Sequence, residues 1–171
     1  MPSQPARPAD ANQRRARALL PSLSIMKLTS FTDYSLRVLI YLAAEPTRRA
    51  TIAEIAGVFE ISEHHLVKVV HFLGKQGWIE TVRGKGGGML LSRPAEAICV
   101  GDVVRDTEGA AVPAECFTED GGHCTIARVC RLKGVLAEAV GAFYAVLDQY
   151  TLAHLSRNRQ ALGKVLMIQA A

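Results

Sequence analysis

The chain predicts a mainly α fold with a small β-hairpin wing: a winged helix-turn-helix followed by a long C-terminal dimerisation helix. Three observations carry that prediction. Two short, capped helical patterns meet at a tight turn near Glu60-Ile61. A glycine-rich stretch, Arg83-Gly84-Lys85-Gly86-Gly87-Gly88, follows them between two strand-like runs. Apolar residues then recur in steps of three and four from Val129 to Tyr150.

Residues 1–25 are rich in Pro, Ala, Arg and Ser, show no apolar period and are expected to form a disordered N-terminal extension. They lack the roughly 7–15-residue apolar core of a secretory signal. No apolar run approaches the ~20 residues that span a bilayer, so a soluble, cytoplasmic protein with no membrane partner is expected. Met26 stands directly ahead of the first ordered pattern. From Ser30 to Ala44, Phe31, Tyr34, Leu36, Leu39, Ile40 and Leu42 suit a largely buried helix that Pro46 stops. Thr51 with Glu54 three residues on is a capping box opening a helix over 52–58. Ser62 is expected to cap the next helix, which runs to about Gln76 ahead of Gly77. Runs at 78–82 and 89–91 read as the strands of the hairpin, and a further helix is expected over 100–107. The final seam, Val129, Leu132, Leu136, Ala139, Phe143, Val146 and Tyr150, is a heptad pattern suited to pairing. The organisation is therefore a winged helix-turn-helix over 26–95, a linker helix and cysteine loop over 96–125, a dimerisation helix over 126–155 and a C-terminal segment over 156–171.

Net charge is +4, but residues 1–25 contribute +3 of it, so the global balance says little about partners. Local charge says more. Residues 62–93 hold five Lys/Arg, three His and two Glu, whereas 102–120 hold six acids and one Arg. The first stretch can face phosphates; the second is repelled by them.

In the second helix of the pair, Leu66, Val69, Val70 and Leu73 form one stripe, and His64, Lys68, His71 and Lys75 fall on the opposite face. Such a face suits the acceptors of a DNA major groove. The glycine stretch lacks the GK[ST] ending of a phosphate loop and opens no helix, so it reads as a wing whose Arg83 and Lys85 reach DNA backbone or minor groove. Ser62, His64, His65, Lys68, His71, Arg83 and Lys85 form the candidate DNA-contacting set.

Cys116, Cys124 and Cys130 are separated by seven and five residues. Zinc sites favour closer pairs. Wider spacing is acceptable where thiolates wrap an iron–sulfur cluster. A thiol-disulfide switch and inert thiols remain alternatives. Cys99, between Ile98 and Val100, reads as a small buried hydrophobe, and His123 as a solvated side chain, with an extra ligand as the alternative.

From Met26 onward the chain resembles the bacterial winged-helix iron–sulfur transcriptional regulators, the IscR/NsrR/RirA family. The resemblance rests on MKLTSFTDYSLRVLIYLA, ISEHHLVKVV, TVRGKGGGMLL, the cysteine trio and LDQYTLAHL. FTDY and LDQYTLAHL are most similar to the nitric-oxide-sensing branch. The resemblance implies a homodimeric repressor of double-stranded operator DNA, with one cluster per subunit, [4Fe-4S] favoured over [2Fe-2S]. It implies Cys116, Cys124 and Cys130 as ligands, with Asp33 as the fourth, contributed across the dimer. Asp33 otherwise reads as an acid favoured in a helix's first turn. The cluster-assembly branch uses a histidine three residues after the last cysteine; here that residue is Lys133. The gap between the first two cysteines is wider than in many nitric-oxide-branch members and resembles the iron-responsive branch. The implied function is release of the operator when nitric oxide attacks the cluster, with an iron- or cluster-status regulator as the alternative. A zinc-stapled DNA-binding protein without sensing is a further alternative. A thiol redox enzyme is disfavoured, since no general base accompanies the cysteines.

Overall fold

The computed structural model describes residues 27–109, 114–118, 123–127 and 129–166; the expected N-terminal extension and the end of the C-terminal segment lie outside these. The first helix, α1 (Ser30–Ala44), is the spine around which the other elements pack. Thr29 caps it, its hydroxyl oxygen accepting from the Thr32 amide at 3.2 Å. Val38, Leu39, Tyr41, Leu42, Ala43 and Ala44 are buried. The buried Ser35 hydroxyl donates to the Phe31 carbonyl at 2.8 Å, so its burial leaves no polar atom unpaired.

The expected capping box opens α2 (Ile52–Phe59). Glu54 does more than cap. Its carboxylate also accepts from the Tyr41 hydroxyl at 2.7 Å and pairs with Arg48, so α2 is fastened to the spine. Burial and then the adjacent Glu54 push the Tyr41 hydroxyl up to about 12. Burial opposes ionisation of Glu54, but hydrogen bonds from Tyr41 and Arg48 outweigh it and hold the carboxyl low.

The turn falls at Glu60, in the left-handed region at φ 54° and ψ 40°. The amides of Glu60 and Ile61 both return to the Ala56 carbonyl, and Ile61 is buried beneath them. The recognition helix α3 (Glu63–Lys75) buries the predicted stripe of Leu66, Val69, Val70 and Leu73. Ser62 occupies the N-cap position but makes no side-chain capping bond. Its carbonyl accepts from His65 and Leu66 instead, so the backbone alone starts the helix and the hydroxyl stays exposed.

The wing pairs β1 (Ile79–Val82) with β2 (Gly88–Leu91) in antiparallel register, Ile79 opposite Leu91 and Val82 opposite Gly88. Ala50 extends it: the amides and carbonyls of Ala50 and Met89 exchange bonds of 3.1 and 2.8 Å. Gly88 has φ +148°, and a Cβ there would meet the Ala50 carbonyl oxygen at 2.8 Å, so only glycine fits.

After a single 3-10 turn at Ala95–Ala97, α4 (Val100–Glu108) packs on α1 and the chain enters the cysteine loop. It emerges into α5 (Leu132–Leu147), then α6 (Leu152–Leu155) and α7 (Arg159–Val165), the last two returning to α1. Two expectations need correction. Val129 precedes α5 and Tyr150 follows it, so the helix carries only Leu132, Leu136, Ala139, Phe143 and Val146 of the seam. Cys99 is half-buried rather than a core hydrophobe, because the chain bends there to bridge Thr151 and leaves its Sγ 3.8 Å from Asp148 Oδ1.

Candidate nucleic-acid interface and cysteine site

Ser62 at the N-cap of α3 and His64, His65, Lys68 and His71 on the helix are all exposed, and Arg83 and Lys85 are exposed on the wing. They are not one cluster. Between α3 and the wing runs a groove of about 810 Å³, where His71, Lys75 and Arg83 meet Thr51 and the side chains of Val67 and Val82. On the other side of α3, His65 stacks on Tyr34 with ring centroids 6.4 Å apart. There His65 and Lys68 border a pocket of about 210 Å³ with Phe31. Arg49 was not foreseen. It is exposed beside the wing, its guanidinium donating to the Gly86 carbonyl at 3.4 Å. Only the Ala50–Met89 pairing brings it there, and no local sequence signal announces that pairing.

The three cysteines come from three different local structures. Cys116 sits in a 3-10 turn at Glu115–Phe117, Cys124 in irregular chain, and Cys130 immediately before α5. All three line one pocket of about 170 Å³, with Ala114, Ile126, Ala127 and Leu132 supplying apolar walls. The Leu132 amide donates to Cys130 Sγ at 3.4 Å. Glu115 Oε1 accepts from the His123 amide at 2.9 Å, which ties the Cys116 turn to the Cys124 segment. Lys133 also lines the pocket, its ammonium 5.6 Å from the centre of the Phe117 ring. Among the described residues no fourth cysteine and no histidine lines it. Asp33 does not line it either and pairs with Arg37 at 2.8 Å. Three soft donors around a mostly apolar space, one receiving an N–H bond, are a donor set that fits an iron–sulfur cluster.

The end of α4, just ahead of the Cys116 loop, is bonded to three other parts of the chain. Arg105 grips Asp148 beyond α5 with bonds of 2.8 and 2.6 Å, and its guanidinium lies 4.5 Å over the Tyr144 ring. Asp106 accepts from Trp78 Nε1 at 3.0 Å, at the base of the wing. Glu108 accepts from the Thr29 amide at 2.9 Å, at the start of α1. Arg105 holds the Asp148 carboxyl below the usual carboxylate range. Cys99, Asp102 and Asp148 place donor atoms within 4.8 Å of one another, but Arg105 already supplies their counter-charge. Gly101 permits this approach: a Cβ there would lie 1.9 Å from Asp148 Oδ1.

A recognition helix with an exposed, histidine- and lysine-bearing face beside a wing defines a winged helix-turn-helix transcriptional regulator, with DNA as its partner. The chain belongs to the Rrf2 family, described as iron-dependent transcriptional regulators, whose profile matches residues 28–158. It is 49% identical over 145 residues to the HTH-type transcriptional regulator NsrR of Bacillus subtilis, covering 84% of this chain and 99% of that protein. It is 50% identical over 143 residues to the NsrR of Geobacillus kaustophilus, covering 82% and 97%. Among solved structures, the oxidised form of Staphylococcus aureus CymR matches with a TM-score of 0.60 at 30% identity, over 77% of this chain and 96% of that one. The IscR of T. potens, at 24% identity and a TM-score of 0.63 over 86% and 95%, shares the fold. The protein is a regulator rather than an enzyme. No described helix is long and apolar enough to cross a membrane.

Proposed function

We propose that this protein is a cytoplasmic, homodimeric repressor that senses nitric oxide through an iron–sulfur cluster, [4Fe-4S] in preference to [2Fe-2S], and leaves its operator on sensing it. The observation that carries the reading is the convergence of Cys116, Cys124 and Cys130 on one apolar pocket. Asp33 of the partner subunit is proposed as the fourth ligand. Support comes from its half-exposed position in the first turn of α1 and from the likeness to NsrR proteins. When bound, the cluster supplies iron open to a small neutral ligand.

The chain's own part is mechanical. Cysteine ligation fixes the loop between α4 and α5, and Asp106 and Glu108 at its leading edge hold the wing and the start of α1. A shift of the loop is thereby passed to the DNA-reading elements. Two half-sites are read about one helical turn apart, so a small change in the separation of paired α3 helices removes the fit. Ser62, His64, His65, Lys68, His71, Arg83 and Lys85 are the proposed DNA contacts.

Protein purified without oxygen should be brown and carry iron and acid-labile sulfide. Serine at Cys116, Cys124 or Cys130 should remove most of both, and Cys99→Ser should not. Colourless protein with stoichiometric zinc would overturn the reading. A second reading, response to iron itself, is favoured by the family's description as iron-dependent.

A further inference from the structure

Two valines stand out of place on the DNA-reading surface. Val67 lies on the outer face of α3 and is 51% exposed; Val82 lies on the wing strand and is 47% exposed. Both border the groove between helix and wing, whose other lining includes the cationic or hydrogen-bonding His71, Lys75, Arg83 and Thr51. Val67 sits between His64, Lys68 and His71, so the face that meets DNA is not uniformly polar.

An exposed β-branched side chain gains nothing for the fold here. The buried side of α3 is already complete with Leu66, Val69, Val70 and Leu73, and valine is a weaker helix former than lysine or glutamate. In a major groove only one base feature is apolar, the C5-methyl group of thymine. The basic lining flanking the valine suits the phosphates on either side of such a base.

We propose that Val67 is a specificity-determining residue that reads the methyl group of a thymine in each half-site, while Lys68, Lys75 and Arg83 hold the phosphates. This rests on the DNA-binding reading above and names the chemistry that reading leaves open. It does not depend on which signal is sensed.

The test uses the full chain, purified anaerobically. Binding sites are selected from a random duplex pool, and each thymine of the selected site is then replaced singly by uracil, which removes only the methyl. One thymine per half-site should matter, its replacement weakening wild-type binding about fourfold, the effect of exposing one methyl. Val67→Ala should weaken binding to the thymine site by a similar factor and bind thymine and uracil sites equally. Lys68→Ala should weaken both sites and keep the preference. The inference fails if wild type is indifferent to uracil throughout, or if Val67→Ala keeps the full preference. If no sequence is enriched, the regulatory reading fails with it.

Discussion

The DNA-reading half and the cysteine half of this chain are built on opposite terms. In α1 eight residues are buried, its neighbour α2 is fastened by a capping box and the Tyr41–Glu54–Arg48 bonds, and α3 buries a full apolar stripe. In α5 no residue is buried, and Leu132, Val135 and Val146 are all more than half exposed. One half has a finished core. The other exposes a stripe of apolar side chains that a single subunit leaves uncovered, next to a pocket of three thiols. An apolar stripe of this kind marks an interface. On the proposed function, the half with the finished core reads DNA, and the half with the exposed stripe decides how the reader is held.

The contrast breaks most sharply at α5. Val146→Asp adds a charge where the single chain loses nothing, so its fold should survive. If the stripe pairs with a second copy, an unpaired buried charge there costs on the order of several kcal/mol and dissociates the dimer. Sedimentation of this variant as an intact dimer would move the interface elsewhere. In the finished half, Tyr41→Phe or Glu54→Gln weakens a buried hydrogen-bonded group and should lower stability by about 1–3 kcal/mol, read by denaturant unfolding. The pH dependence has a definite sign. Tyr41 is raised on folding from 10.0 to about 12, so its contribution is complete below pH 10 and is lost as pH rises toward 12. Glu54 is lowered, so its contribution is present above the usual carboxylate range and is lost as pH falls through the folded value.

A smaller effect is expected where the halves meet. Asp106→Ala removes the acceptor of the Trp78 indole N–H, and should cost about 1 kcal/mol while loosening the wing from α4. Hydrogen exchange at the wing amides would report it; unchanged exchange would mean that Asp106 does not hold the wing. The smallest effect should come from Asp148→Asn, because the Arg105 clasp is solvent-exposed and screened. Stability should barely move, yet proteolysis between α4 and α5 should quicken. Wild type should show the same quickening in acid as Asp148 takes up its proton.

The finished half was the legible one. Helix α1 runs over the residues its apolar pattern marks, the capping box forms at Thr51 and Glu54, and the buried stripe of α3 is the one the 100° period selects. Those features are local, and burial leaves a period in the residues that make it. Long-range pairings leave none. Nothing nearby in sequence announces that Ala50 joins the wing, that Arg49 follows it, or that α6 and α7 return to α1. The apolar seam from Val129 to Tyr150 runs past both ends of the helix, since a heptad pattern does not record where the backbone stops. For the cysteines, spacing indicated a shared site but not its walls: the bond from the Leu132 amide and the approach of Lys133 depend on how the chain enters α5.

On the proposed function, ligation at Cys116, Cys124 and Cys130 answers to nitric oxide and is felt at the recognition helix. Both a nitric-oxide sensor and an iron sensor lose DNA when the cluster goes, so comparing apo-protein with loaded protein cannot separate them. Trigger and speed can. Anaerobic, cluster-loaded protein on its selected operator should be followed by fluorescence anisotropy during addition of a few equivalents of nitric oxide, and in parallel with a mild iron chelator over the same interval. Binding should be lost with nitric oxide and retained with the chelator. Ready release by the chelator, with nitric oxide acting no faster, would contradict the nitric-oxide reading and make the protein a sensor of iron.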